Sequence, residues 1–338
     1  MPNKWVLAVL DFAENYVCFY QNEAQGAYWT HNQVTIHPVV TSYKCGECPA
    51  TVTECIIIIS PDNKHDHDEV HAYMDLVSIH LQQKRALQVD TTVRFSDGCA
   101  CQYKSRGPLA EIAMPKKDYG FTTCHNYYGT RHGKGPSDCE AAVVKSKAST
   151  AIKCGVAVIS DARSLYNYCT EALTKDLQND KFLHFRRSFY FVEDVPRGRP
   201  RSHIKTVAGT RSFDSVLTGE KENSIKVLEL SCFCVACITR HGKRTNTSYV
   251  RDWKEVILHR SVPLEVDKVS DQINEQLMNT YENGKAHEDE DGASDDDDDG
   301  CCTVEINVTS EAAKSDSGGI YDKNGDKLMI AEVMKAQV

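Results

Sequence analysis

Four consecutive isoleucines, Ile56 to Ile59 in "ATVTECIIIIS", constrain the fold more than any other stretch of this chain. An apolar run of that length, bounded by polar residues, suits a buried strand. It is also the longest apolar stretch, and it falls well short of the roughly 18 residues that a membrane-spanning helix requires. The amino terminus, "MPNKWVLAVLDFAENY", lacks a signal-peptide layout, because an acid and polar residues follow the apolar part at once. No membrane partner and no secretion are therefore expected. With 338 residues, 41% of them hydrophobic, the chain can bury one sizeable core with an appendage.

The elements around the isoleucines follow from periodicity. "KWVLAVL" reads as a first strand and the alternating "NQVTIHPVVTSYKC" as a second, with the isoleucine strand third. The short link at 44–50, "KCGECPA", makes these three an antiparallel meander. Val70, Met74, Val77 and Leu81 recur at helical spacing, so "DEVHAYMDLVSIHLQQKRA" is an amphipathic helix that Asp66 or Asp68 can cap. "TTVRFSDG" is a fourth strand, and "CACQYKSRGPLAEIA" begins helical. "GFTTCHNYYGT" is a fifth strand, and "PSDCEAAVVKSKASTAIK" is a helix with Pro136 in its first turn. The expected order is β-β-β-α-β-α-β-α over residues 1–155, an α/β unit. Residues 156–262 form a basic, cysteine-containing extension, and 263–338 an acidic tail expected to be largely disordered.

The net charge of −9 belongs to that tail. Residues 281–300 hold ten acids and one lysine, so the rest of the chain is close to neutral and can present a basic face. Fifteen cysteines without a secretory signal point to reduced thiols or metal ligands rather than disulfides. "CFCVACITRH" offers Cys232, Cys234, Cys237 and His241 as a local Zn²⁺ set. Cys45 and Cys48 form a second C-x-x-C knuckle, to which His65, His67 or His71 could add a donor.

Three acids fall at comparable places. Asp11 ends the first strand, Asp97 ends the fourth, and Asp138 opens the helix after the fifth. Clustered carboxylates are unfavourable in a core unless a cation balances them. Two hard divalent ions, Mg²⁺ or Mn²⁺, would do so and could serve phosphodiester chemistry. Each acid alone has an ordinary explanation as a strand-end, turn or first-turn residue. A nucleotide-binding loop is disfavoured, because "GTRHGKG" is one residue short of G-x-x-x-x-G-K-[ST] and has Gly135 where Ser or Thr is needed.

The blocks "LDFAENY", "FSDGCACQYKSR" and "GTRHGKGPSD" resemble, in order, the acid-bearing blocks of a group of transposon-derived animal proteins. That group is similar to DDE-type transposases with an RNase H-like catalytic domain. The resemblance spans roughly residues 4–153 and implies an RNase H-like mixed sheet, with metal-dependent cleavage and strand transfer on DNA. It also implies Asp11, Asp97 and Asp138 as catalytic Mg²⁺ or Mn²⁺ ligands, and a nuclear rather than cytoplasmic location. His132 and Lys134 become candidates for DNA-phosphate contact or acid/base support. Lys104 and the basic, aromatic stretch with Arg186, Arg187, Arg197, Arg199 and Arg201 are further DNA-contact candidates. Where the group carries DG-x-GG after the third acid, this chain reads "DCEAA". No separate DNA-binding module is expected before the first strand. A domesticated, catalytically inactive DNA-binding protein is the alternative, and homo-oligomerisation is left open.

Overall fold

The computed structural model describes residues 1–19, 31–129, 135–176, 184–198, 204–239 and 251–261, together with the backbone at 320–321 and 327–328. Contacts divide the chain into a unit of Met1–Ser261 with Ser317–Val338 and a unit of Val262–Asp316. All described residues belong to the first, and the acidic tail at 281–300 lies outside them.

The isoleucine run sits inside a large mixed sheet. Strands β1 (Trp5–Leu10), β3 (Gln33–Lys44) and β4 (Thr51–Ser60) form the expected antiparallel meander, with β2 (Tyr16–Val17) paired to the start of β3. On the other side of β1, β5 (Thr91–Ser96) and then β6 (Thr122–Tyr127) add in parallel. The extension does not stand apart. Strand β7 (Phe185–Val192) lies parallel beside β4. Beyond β6 follow β8 (Ser215–Thr218), β9 (Ser224–Leu228) and β10 (Lys254–Ile257), each antiparallel to its neighbour. The strand order is β10-β9-β8-β6-β5-β1-β3-β4-β7, continued by β11 (Ile320–Tyr321) and β12 (Lys327–Leu328). The protein is thus a mixed α/β fold, as the sequence pattern indicates.

Strand alternation splits the isoleucines between two cores. Ile56 and Ile58 face a cluster with Ala72, Tyr73, Leu76 and Val77 of helix α1 (His67–Ile79) and Leu109 and Ile112 of α2 (Arg106–Ala113). Ile57 and Ile59 face Ala141, Val144 and Ala148 of α4 (Pro136–Lys153) and Leu165 and Cys169 of α5 (Ala162–Leu173). All four are fully buried. A strand covered by helices on both faces needs no polar position, which accounts for the uninterrupted run.

Asp66 caps α1, accepting from the Glu69 backbone N–H at 3.0 Å. Residues 99–105 are turns rather than the start of a helix; α2 begins at Arg106, so Gly107 and Pro108 lie in its first turn, where a missing N–H is tolerated. Two short α-helices, α3 (Pro115–Asp118) and α6 (Val235–Thr239), a π-helical turn at His80–Lys84 that continues α1 and a 3-10 turn at Thr210–Ser212 complete the described elements. No helix among the described residues is long and apolar enough to cross a membrane.

Candidate functional site

The pairing of β1 with β5 brings two of the sequence-selected acids together. The strands run parallel with Val9 opposite Phe95, so continuing the register by two residues sets Asp11 beside Asp97. Both lie just past the carboxyl ends of their strands, where an open α/β sheet places its ligands. The third acid arrives on α4. Ser137 at the helix start donates its hydroxyl to the Val9 carbonyl at 2.9 Å, which ties the first turn of α4 to the end of β1. Asp138 follows directly.

The three carboxylates share one electrostatic field. Burial, followed by the charges of Asp97 and Asp138, pushes the Asp11 carboxyl up to about 7. Their oxygens do not form a set lying within 4.8 Å of one another. Each outer acid is held by backbone. Asp97 accepts from the Cys99 N–H at 3.1 Å, and Asp138 accepts from the Gly135 N–H at 2.9 Å, bracing its own helix start.

Aromatic side chains close the floor of this site. Phe12 stacks on His65 and meets the buried His37 edge-on, each with ring centroids 4.5 Å apart. Tyr103, fully buried, approaches His37 Nε2 with its hydroxyl at 3.4 Å. Its hydroxyl pKa is raised well above normal by burial and then by Asp11 and Asp97. The sequence reading missed Tyr128. It follows β6, bonds the Ser96 carbonyl through its backbone N–H at 2.9 Å, and is half-buried beside the acids. Burial, then Asp11 and Asp138, raise its hydroxyl. Its position at the end of a third parallel strand was the available signal.

The four basic candidates among the described residues are engaged within the protein. Arg197 reaches Asp62, Asp66 and Glu69 at 2.5, 2.6 and 3.1 Å, neutralising the acids around the start of α1. Arg187 grips Glu140 at 2.9 Å and donates to the Leu173 carbonyl at 3.3 Å. That contact turns Glu140 towards β7. Lys104 pairs with Asp214 at 3.1 Å and lies over the Tyr127 ring at 4.7 Å. Arg186 donates to the Tyr43 hydroxyl at 3.2 Å. His132, Lys134, Arg199, Arg201 and His241 lie outside the described residues.

Two cysteine clusters have metal-ligand geometry. The sulfurs of Cys232, Cys234 and Cys237 all lie within 4.8 Å of one another. Burial raises the Cys237 thiol to about 11, with its neighbouring sulfurs adding to the shift. Cys45 and Cys48 also cluster, but the histidine that joins them is His184, not His65, His67 or His71. Those three sit around the start of α1, beyond the far end of β4, a strand of ten residues and so about 30 Å long. His65 bonds Thr35 at 3.0 Å, His67 approaches Asp68, and His71 lies between Asp75 and Glu111 at 3.3 and 3.1 Å.

The mixed α/β sheet thus places three aspartates at the ends of two parallel strands and one helix. Residues 1–231, more than half of the chain, match a family described as Domain of unknown function (DUF8701), and the chain belongs to that family. No curated protein matches it.

Proposed function

We propose that this chain is a transposase-derived protein with an RNase H-like catalytic core, acting on DNA phosphodiesters through Asp11, Asp97 and Asp138. The strand order β4-β3-β1-β5-β6, with an antiparallel meander followed by parallel strands, supports the RNase H-like reading. The observation that carries the function is the Asp11 carboxyl, pushed up to about 7 by burial and by two further acids at matching ends. A core has no reason to gather such charges unless a cation joins them.

The donor set fits a hard divalent ion such as Mg²⁺ or Mn²⁺: three carboxylates, with no thiolate or imidazole among them. When bound, such ions supply nucleophile activation and leaving-oxygen stabilisation at a phosphodiester. The chain's own part is positional. Asp11 and Asp97 are fixed by strand register, and Asp138 by the Ser137–Val9 tether. His132 and Lys134 lie six and four residues before Asp138 in sequence and are proposed for phosphate contact.

The test is cleavage of DNA in Mg²⁺ or Mn²⁺. Wild type should cleave, and Asp97→Asn should lose roughly 10²-fold or more. Equal activity in the two proteins refutes the assignment. The second reading, a binding protein that keeps the fold without the chemistry, is favoured by one feature: Asp138 Oδ2 is occupied by the Gly135 N–H. It predicts strongly salt-dependent DNA binding with no metal-dependent cleavage in either protein.

A further inference from the structure

The turn between β3 and β4 carries Cys45 and Cys48 separated by Gly46 and Glu47. The Cys45 backbone N–H bonds the Ala50 carbonyl at 3.0 Å, which closes the turn. Cysteine binds metal as the thiolate, and the turn holds both sulfurs on one side of the β3–β4 link.

The third donor comes from a distant part of the chain. His184 immediately precedes β7, which lies parallel to β4, and its carbonyl accepts from the Thr53 N–H at 2.9 Å. Its Nε2 lies 3.1 Å from Cys48 Sγ, 136 residues away in sequence. His184 also adopts φ 43°, a left-handed backbone unfavourable for any residue with a Cβ. Such strain persists where the surroundings impose it, and it often marks a site with a job. Here it accompanies a ring directed at the two sulfurs.

We propose that Cys45, Cys48 and His184 form a Zn²⁺ site that clips the β3–β4 turn to the start of β7, with solvent completing the coordination. The ligand atoms all lie within 4.8 Å of one another, and the three residues are partly exposed, so a water can reach the fourth position. A tetrahedral zinc holds a sulfur and an imidazole nitrogen about 3.5 Å apart, so the present separation needs only a small adjustment. Two thiolates and an imidazole favour zinc over the hard ions suited to carboxylates. The site lies at the opposite end of the sheet from Asp11, since Val6 at the start of β1 pairs with Tyr43 while Leu10 pairs with Val39. Its role is therefore to join β7 to the meander, and it stands independently of the nuclease reading.

The experiment uses the full chain carrying Cys232→Ser, Cys234→Ser and Cys237→Ser, which removes the other cysteine cluster. Purified under reducing conditions and dialysed, it should retain about one zinc per chain. Adding Cys48→Ser or His184→Asn should remove that zinc, and Co²⁺ substitution should give tetrahedral absorption bands only where all three ligands remain. Unchanged zinc content in both further variants overturns the site. A second measurement uses the unaltered protein, so that misfolded variants cannot obscure the outcome. Zinc should slow alkylation of Cys45 and Cys48 at least tenfold relative to the stripped chain. Equal rates with and without zinc overturn the proposal, as does a Cys45–Cys48 disulfide that persists when zinc is present.

Discussion

At the scale of single residues, two carboxylates show opposite solutions to burial. Glu54 is completely buried on β4 and fully answered. It accepts from His80 at 2.8 Å, Arg85 at 2.7 Å and the Tyr43 hydroxyl at 2.6 Å, and Ser188 lies at 3.3 Å. Burial alone would raise its pKa, but His80 and Arg85 hold it far below the usual carboxylate range. Glu54→Ala should therefore destabilise the fold by about 3–5 kcal/mol in denaturant titrations, because Arg85 would be left without its buried partner. Asp11 has no such answer. Its folded pKa is raised, so the stability it contributes is present at low pH and is lost as pH rises through about 7. Asp11→Asn should melt roughly 2–4 °C higher than wild type at pH 8 without metal. Mg²⁺ or Mn²⁺ should raise the wild-type melting temperature and leave that of Asp11→Asn nearly unchanged. A variant less stable than wild type at pH 8 would show that the acid cluster carries no uncompensated repulsion.

At the scale of elements, the isoleucine strand serves two cores at once. Ile58 packs towards α1 and α2, and Ile57 towards α4 and α5. Ile58→Ala and Ile57→Ala should each destabilise by about 2–5 kcal/mol. Their double-mutant coupling should stay below about 0.5 kcal/mol, since the cavities open on opposite faces. A large coupling would mean that the two layers respond as one. The β8–β9 hairpin depends on Gly219, where an added Cβ would fall 2.5 Å from the Ser224 carbonyl oxygen. Gly219→Ala should loosen that hairpin, seen as faster amide exchange in β8 and β9 with little change in β3 or β4. Periodicity made the meander, α1, β5, β6 and α4 legible, because each carries its own apolar pattern. It also placed Asp11, Asp97 and Asp138 at element ends. It could not show that β7 returns to pair with β4, because that contact joins segments with no local signal in common. For the same reason His184 was invisible as a partner of Cys48. The basic, aromatic stretch likewise made Arg187 and Arg197 candidates for DNA contact, whereas their partners, Glu140 and the acids around α1, are set only by tertiary packing.

At the scale of the whole molecule, the buried titratable groups define a pH profile whose sign can be worked out. His37 and His125 are fully buried, and burial lowers both to about 3, with His65 and Arg94 respectively adding to the shift. Unfolded, they would bind protons below about 6.5, so between about 3 and 6.5 they make stability rise with pH. Asp11, at about 7, and Glu69, pushed to about 8 by burial and by Asp62, act in the opposite sense. The folded state holds their protons above about 4, so both make stability fall as pH rises towards 7 or 8. The two pairs oppose each other between about 4.5 and 6.5, where His65 and His80, also lowered by burial, add to the histidine side. Above that window only the carboxylates remain, and stability declines gently to about pH 8. Below about 4 the histidines act with Glu54, whose depressed pKa means that the unfolded chain alone takes up its proton. Stability should then drop steeply, with several protons bound per unfolding event. Denaturant midpoints collected from pH 3 to 9 should rise steeply from the acid side to a maximum near about pH 6.5 and then fall along a shallow alkaline slope. Saturating divalent cation should flatten the part of the alkaline slope that belongs to Asp11, because it favours the ionised carboxylate, and leave the part that belongs to Glu69. A profile whose alkaline slope ignored the cation would separate the acid cluster from metal binding altogether.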